Sequence, residues 1–144
     1  MFTNSSKYAL KAVLYLALHS DENKKIMVKD LCERINVPKA YLSKLLQDLA
    51  RHEVVSSSKG PKGGFYLNEQ NLTMSVLDIV HIIDGRKKTE SCLLSLEDCS
   101  RHKPCPLHNL VSSSRNEMLN SLKDKTVKDL SLDLKHKKAF LPLA

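Results

Sequence analysis

Between Val28 and Leu67 the chain carries two short helical patterns joined by a tight turn and followed by a glycine-rich hairpin, an order that few folds accommodate. The first pattern, Val28 to Ile35, has Leu31, Cys32 and Ile35 on one stripe, and Asn36-Val37-Pro38 makes the turn. The second begins at Pro38, whose fixed φ suits a first helical turn, and runs to about His52. Its Leu42, Leu45, Leu46 and Leu49 recur at i, i+3, i+4 and i+7, one buried face of a helix. The opposite face bears Lys39, Ser43, Lys44, Gln47 and Arg51, groups that can donate to phosphates and reach base edges in a major groove. An ordinary solvated face has a similar composition, so the hairpin carries the distinction. Val54 to Ser58 and Phe65 to Leu67 read as strands around Lys59-Gly60-Pro61-Lys62-Gly63-Gly64, which holds three of the four glycines. Glycine permits close backbone approach, and two lysines charge the tip, as a wing lying along a phosphate backbone requires. The expected fold is therefore mainly α with a small β-hairpin wing: a winged helix-turn-helix plus a long C-terminal dimerisation helix. Lys39, Tyr41, Ser43 and Lys44 are expected at the groove, and Lys59, Gly60, Pro61 and Lys62 at the backbone.

Ahead of this stretch, Ser5 to His19 predicts a helix capped by Asn4 or Ser5. Its apolar residues cover most of the circumference, so burial on more than one side is expected, against its own core and a second subunit. Lys11 interrupts the apolar run and no small-residue cleavage site follows, so it reads neither as a secretory signal nor as a membrane span. A cytoplasmic protein is expected. After the wing, Thr73 is expected to cap a helix from Met74 to Asp84 that stops at Gly85, with His81 on its less apolar side. Arg86 to Lys103 lacks apolar periodicity and reads as a loop. A long helix from Leu107 to Lys123 follows, with a near-heptad stripe of Leu107, Leu110, Val111, Ser114, Met118, Leu119 and Leu122. Thr126 to Asp129 resembles a capping box that opens a last short helix. The expected organisation is 1–85 for DNA binding, 86–105 for a cysteine-bearing loop and 106–144 for helical dimerisation. The formal charge of +7 points to an anionic partner, but residues 86–144 carry +5 of it, so the bias is not confined to the DNA-binding half. No phosphate loop, nucleophile elbow or acid-base pair is present, which argues against an enzyme and a small-molecule substrate.

The loop and the start of the long helix contain Cys92-x6-Cys99-x5-Cys105-x2-His108, three thiols and an imidazole within 17 residues. Such donors form a ligand set for a soft or borderline metal ion or an iron-sulfur cluster. Three rival readings stay open at this point. A disulfide would leave one cysteine unpaired; a three-cysteine, one-histidine zinc site lacks its usual closely spaced cysteine pair; and an empty loop would carry reactive thiols. His108 lies one helical turn beyond Cys105, which would aim both at one centre, and His102 is the competitor. Cys32, alone on an apolar stripe, reads as a small core residue.

The stretch VPKAYLSKLLQDLARHEVVSSSKGPKGGFYL, the following LTMSVLDIVHIIDG and the three-cysteine loop together resemble the Rrf-type bacterial transcription regulators, which include IscR-like and NsrR-like proteins. The resemblance spans nearly the whole chain. It implies a homodimeric winged-helix repressor or activator that binds a double-stranded DNA operator. It also implies a 2Fe-2S or 4Fe-4S cluster that senses iron-sulfur status, oxidants or nitric oxide. Cys92, Cys99 and Cys105 match the cluster cysteines, and His108 matches the histidine that can serve as fourth ligand in IscR-like members. The Cys92 to Cys99 gap is one residue longer than the family's. Tyr8 stands where some nitric-oxide-sensing members supply a carboxylate, which favours 2Fe-2S. Ser43 stands where IscR-like members can carry glutamate, so their operator preference is not transferred. Two alternatives accompany this reading: a cluster-free family member controlled by thiol oxidation, a metabolite or a partner protein, and a zinc-stabilised interaction module.

Overall fold

The first helix, α1 (Asn4–His19), is the spine on which the others pack. Its Ala9, Ala12, Val13 and Leu16 are fully buried, and the small alanines let neighbouring helices approach closely. The cap is Thr3, whose side chain accepts from the Ser6 N–H, rather than Asn4 or Ser5. In this computed structural model, which describes residues 2–142, α1 touches helices from both halves of the chain. Its apolar circumference is thus covered largely within one protomer.

The helix-turn-helix follows as expected. Helix α2 (Val28–Ile35) ends at Asn36 in the left-handed conformation, which its short amide side chain tolerates, and α3 (Lys39–Arg51) begins after Pro38. Pro38 is the cap itself, not the first helical residue, and its carbonyl accepts from the Leu42 N–H. Leu42, Leu46 and Leu49 are fully buried and Leu45 nearly so. The wing comprises β1 (Ser56–Ser58) and β2 (Gly64–Tyr66), antiparallel with Ser57 opposite Phe65. The strands are shorter than the sequence pattern because Val54, Val55 and Leu67 turn into the core instead of pairing. Ile26 and Phe65 exchange both backbone hydrogen bonds, which ties the wing to the chain just ahead of α2. Gly64 makes that approach possible: its φ is +150°, and a Cβ there would lie 2.6 Å from the Ile26 carbonyl oxygen.

A short helix that the sequence reading omits, α4 (Glu69–Leu72), opens with a capping box between Asn68 and Asn71. Asn71 is buried and pins three segments: its amide donates to the Glu53 carbonyl, and its oxygen accepts from the Ser56 hydroxyl and the Asn68 N–H. Helix α5 (Val76–Asp84) starts two residues later than expected because Ser75, not Thr73, accepts from the Asp78 N–H. A further short helix, α6 (Arg86–Glu90), occupies the start of the expected loop. Five residues cannot display a helical period, which is why pattern reasoning misses it. Helix α7 (His108–Asp124) packs beside α5, yet not one of its 17 residues is buried.

Helix α8 (Val127–Lys135) returns to the core. Val76 N–H donates to the Lys125 carbonyl and Val127 N–H to the Met74 carbonyl, while the Val127 side chain is 1% exposed. The expected capping box is present: Thr126 N–H donates to Asp129, and Asp129 N–H donates to the Thr126 hydroxyl. The Thr126 backbone N–H and, less strongly, its hydroxyl, with Lys125 and Lys128 nearby, hold the Asp129 carboxyl below its ordinary value, against the opposing effect of desolvation. Its contribution to stability is therefore present above the ordinary carboxylate range and is lost as pH falls through that range toward the folded value. Thr126→Ala should cost about 1 kcal/mol at neutral pH and flatten the acid limb of stability, measured by urea unfolding across a pH series. An unchanged acid limb would contradict the assignment.

Candidate functional site

Two groups of residues stand out. In the first, the exposed face of α3 meets the wing. Lys39, Lys44, Lys59, Gly60, Pro61 and Lys62 are all exposed. A cleft of about 320 Å³ brings Lys39 and Ser43 together with Gly60 and also takes in Met27 and Lys29 from the start of α2. Among the described residues the ion pairs are Arg51 with Asp48 and Lys128 with Glu69, so none of these lysines is neutralised by a carboxylate. Lys29 escapes pattern reasoning because the apolar period of α2 marks only its buried stripe, not which of its polar residues face the wing. Ser43 donates its hydroxyl to the Lys39 carbonyl one turn back. Tyr41 is 39% exposed, but its hydroxyl is hydrogen-bonded to Ser5 and its ring meets Tyr8 edge-on at 5.9 Å, so it ties α3 to the start of α1.

In the second, the segment after α6 folds the three cysteines together. The sulfurs of Cys92, Cys99 and Cys105 all lie within 4.8 Å of one another. Cys92 and Cys105 are 3.4 Å apart, well beyond a disulfide bond, and all four cysteines are free. Cys32 stands apart, half-buried on α2, with its thiol donating to the Lys29 carbonyl. His108, the first residue of α7, places Nδ1 3.4 Å from the Cys99 sulfur. It therefore meets Cys99 at the edge of the trio, not Cys105 through a shared helical turn, because Cys105 lies before the helix starts.

The electrostatics of the trio suit a cation. Backbone N–H groups of Leu96 and Leu94 and the two neighbouring thiols draw the Cys92 thiol down to about 7 against the effect of desolvation. Cys99 moves the other way: the Cys105 N–H lowers it, but desolvation and the adjacent thiols of Cys105 and Cys92 outweigh that and raise it. The Cys92 thiolate forms readily and that of Cys99 is disfavoured, the behaviour of like charges crowded into one site. A bound cation removes that penalty and favours all three thiolates. Lys87 and Lys88 border the adjoining cavity of about 530 Å³ together with Glu90 and Glu97, so the fixed charges of its wall balance. The donor set thus fits an iron-sulfur cluster or zinc.

Contacts too distant for sequence reasoning tie α3 and the end of α5 to the same N-terminal end of α1. The Asp84 carboxylate at the end of α5 accepts from both the backbone N–H and the hydroxyl of Thr3, the α1 cap. On the far side, Arg115 of α7 donates to the carbonyl of Ser91, next to Cys92.

Residues 2–133 match the family model described as "Rrf2: Iron-dependent Transcriptional regulator". The chain belongs to the Rrf2 family. It is 32% identical over 139 residues to a protein of Aquifex aeolicus classed among the HTH-type transcriptional regulators, covering 94% of this chain and 95% of that one. It is 28% identical over 131 residues to the HTH-type transcriptional regulator IscR of Vibrio cholerae, covering 91% of this chain and 75% of that protein. The fold is shared with CymR, the global cysteine regulator of B. subtilis, at a TM-score of 0.73, 23% identity and coverage of 92% and 96%. It is also shared with T. potens IscR at a TM-score of 0.71, 23% identity and coverage of 96% and 91%. This Rrf2-family chain is therefore a winged-helix transcriptional regulator, as the resemblance implied, in a family whose relatives are transcriptional regulators and not enzymes. Among the described residues no helix is long and apolar enough to cross a membrane.

Proposed function

We propose that the protein is a cytoplasmic homodimer whose affinity for an operator is set by a 2Fe-2S cluster held by Cys92, Cys99 and Cys105, with His108 as fourth ligand. The gathering of three sulfurs within 4.8 Å, by a segment with no core of its own, is the observation that carries this reading. A 4Fe-4S cluster and zinc are the rival occupants of the same donors. When bound, the cluster supplies a centre that can change its charge or be lost to oxidants or nitric oxide. In this reading residues 1–85 bind DNA, 86–105 sense and 106–144 dimerise. Lys39, Tyr41, Ser43 and Lys44 lie at the groove, and Lys59, Gly60, Pro61 and Lys62 hold the phosphates. Thr3 and Asp84, with Ser5 and Tyr41, join the sensing loop to α3 through α1. The free cysteines agree with a reducing compartment.

The 3.4 Å approach of Cys92 to Cys105 favours one second reading, a cluster-free thiol switch. A peroxide would oxidise one thiolate to a sulfenate, and the other thiol would displace water to form the disulfide.

Operator binding followed across a salt series tests the DNA assignment. Lys59→Ala and Lys62→Ala should each lower affinity across sequences and reduce the log-log salt slope by about one per lost phosphate contact. Ser43→Ala should alter sequence preference more than overall affinity. Unchanged affinity and slope in the double lysine variant would remove the wing from the interface.

A further inference from the structure

The cavity between α5, α6 and α7 has no part in the function proposed above. It measures about 540 Å³, and four cationic side chains line it: Arg86, Arg101, Arg115 and Lys123. Asp78 and Glu90 also reach its wall, but among the described residues no carboxylate comes within ion-pair distance of any of the four. His81 of α5 lines the same space, and both its ring nitrogens are buried without a hydrogen-bond partner. Buried donors and acceptors in folded proteins are paired as a rule, and crowded cations repel unless an anion stands among them. The volume is within the range of about 300–1,000 Å³ typical of small-molecule sites.

We infer that this cavity is a binding site for a small organic or inorganic dianion, held by Arg86, Arg101, Arg115 and Lys123 with His81 supplying a directional hydrogen bond. Guanidinium groups pair with carboxylate or phosphate oxygens through two parallel hydrogen bonds, so two acidic oxyanion groups, or one phosphate, match the wall. Asp78 and Glu90 oppose a higher negative charge and accept from a hydroxyl or ammonium on the ligand. Arg115 also holds the Ser91 carbonyl beside Cys92, so the bound anion and the cysteine loop share one side chain. The ligand site stands independently of whether the loop carries a cluster.

Titration calorimetry of the whole protein with L-malate, L-aspartate and inorganic phosphate tests it, the three probes separating dicarboxylate, amino dicarboxylate and phosphate chemistry. At least one should bind once per chain and raise the melting temperature. The Arg86→Gln, Lys123→Gln variant should weaken that binding by at least about tenfold per lost charge-assisted contact while leaving probe-free DNA affinity unchanged. His81→Phe should reduce the probe-induced shift and melt no lower than the parent without probe, since it removes two unpartnered nitrogens. No binding by any probe would overturn the site. So would equal binding by the variants, which marks a surface ion, or binding that weakens as protein concentration rises, which marks a second copy of the chain in the cavity.

Discussion

Leu110→Lys is expected to turn the protein into a folded monomer and to reduce operator affinity by orders of magnitude. Leu110 is 73% exposed on α7, so a lysine there costs the isolated protomer almost nothing. If α7 pairs with its twin, the same lysine is placed in a dry seam without a counterion, at a cost of about 3–5 kcal/mol. The helix invites such pairing: it is 17 residues long, has a near-heptad stripe, and buries none of its residues within the protomer. Joining two recognition helices on one frame raises affinity by about 10²–10⁴ over one alone, and that gain would vanish with the dimer. Sedimentation equilibrium combined with circular-dichroism melting reads both halves of the expectation. A variant that remains dimeric would move the seam away from α7.

Cys99→Ala is expected to strip the protein of bound iron and of visible absorption, and to fix its operator affinity at that of the iron-free parent. Cys99 joins the trio to its neighbours, since it accepts from the Cys105 N–H and meets the His108 ring. Two remaining thiolates cannot complete a four-ligand set, whereas Cys32→Ala, remote on α2, should leave iron content unchanged. His108→Ala should shift the spectrum or shorten cluster lifetime, and His102→Ala should do neither. Iron retained by Cys99→Ala at the parent's level would take the cluster out of this loop. Operator affinity that ignores iron would break the proposed link from the loop through Asp84 and Thr3 to Tyr41.

What could be read from sequence follows the range of the interactions involved. Helices α2 and α3 were legible because each shows an apolar period over two or more turns, and α1 because it is a long, nearly continuous apolar run behind a cap. The wing was legible because its glycines and lysines are contiguous. The Thr126 capping box was legible because its two members are three residues apart. Asn68 and Asn71 form the same motif with asparagine at both ends and only Leu72 apolar behind it, so α4 left no hydrophobic signal. Thr73 and Ser75 are equivalent as caps by residue type, and the choice falls to Ser75 because Met74 and Val76 are tied to Lys125 and Val127 far along the chain. Spacing alone offered Cys92, Cys99 and Cys105 as a set but could not direct their sulfurs, since a loop imposes no face. His81 reads as a surface or half-buried residue from its own helix. Its ring is enclosed because α7, more than 25 residues later, packs across it.

The most direct test of the account is the iron, acid-labile sulfide and zinc content of protein purified without oxygen, with its visible spectrum. Iron and sulfide are expected in equal amounts, two of each per chain for a 2Fe-2S cluster, with absorption that air or nitric oxide removes. Zinc without sulfide, or a colourless protein without metal, would contradict it.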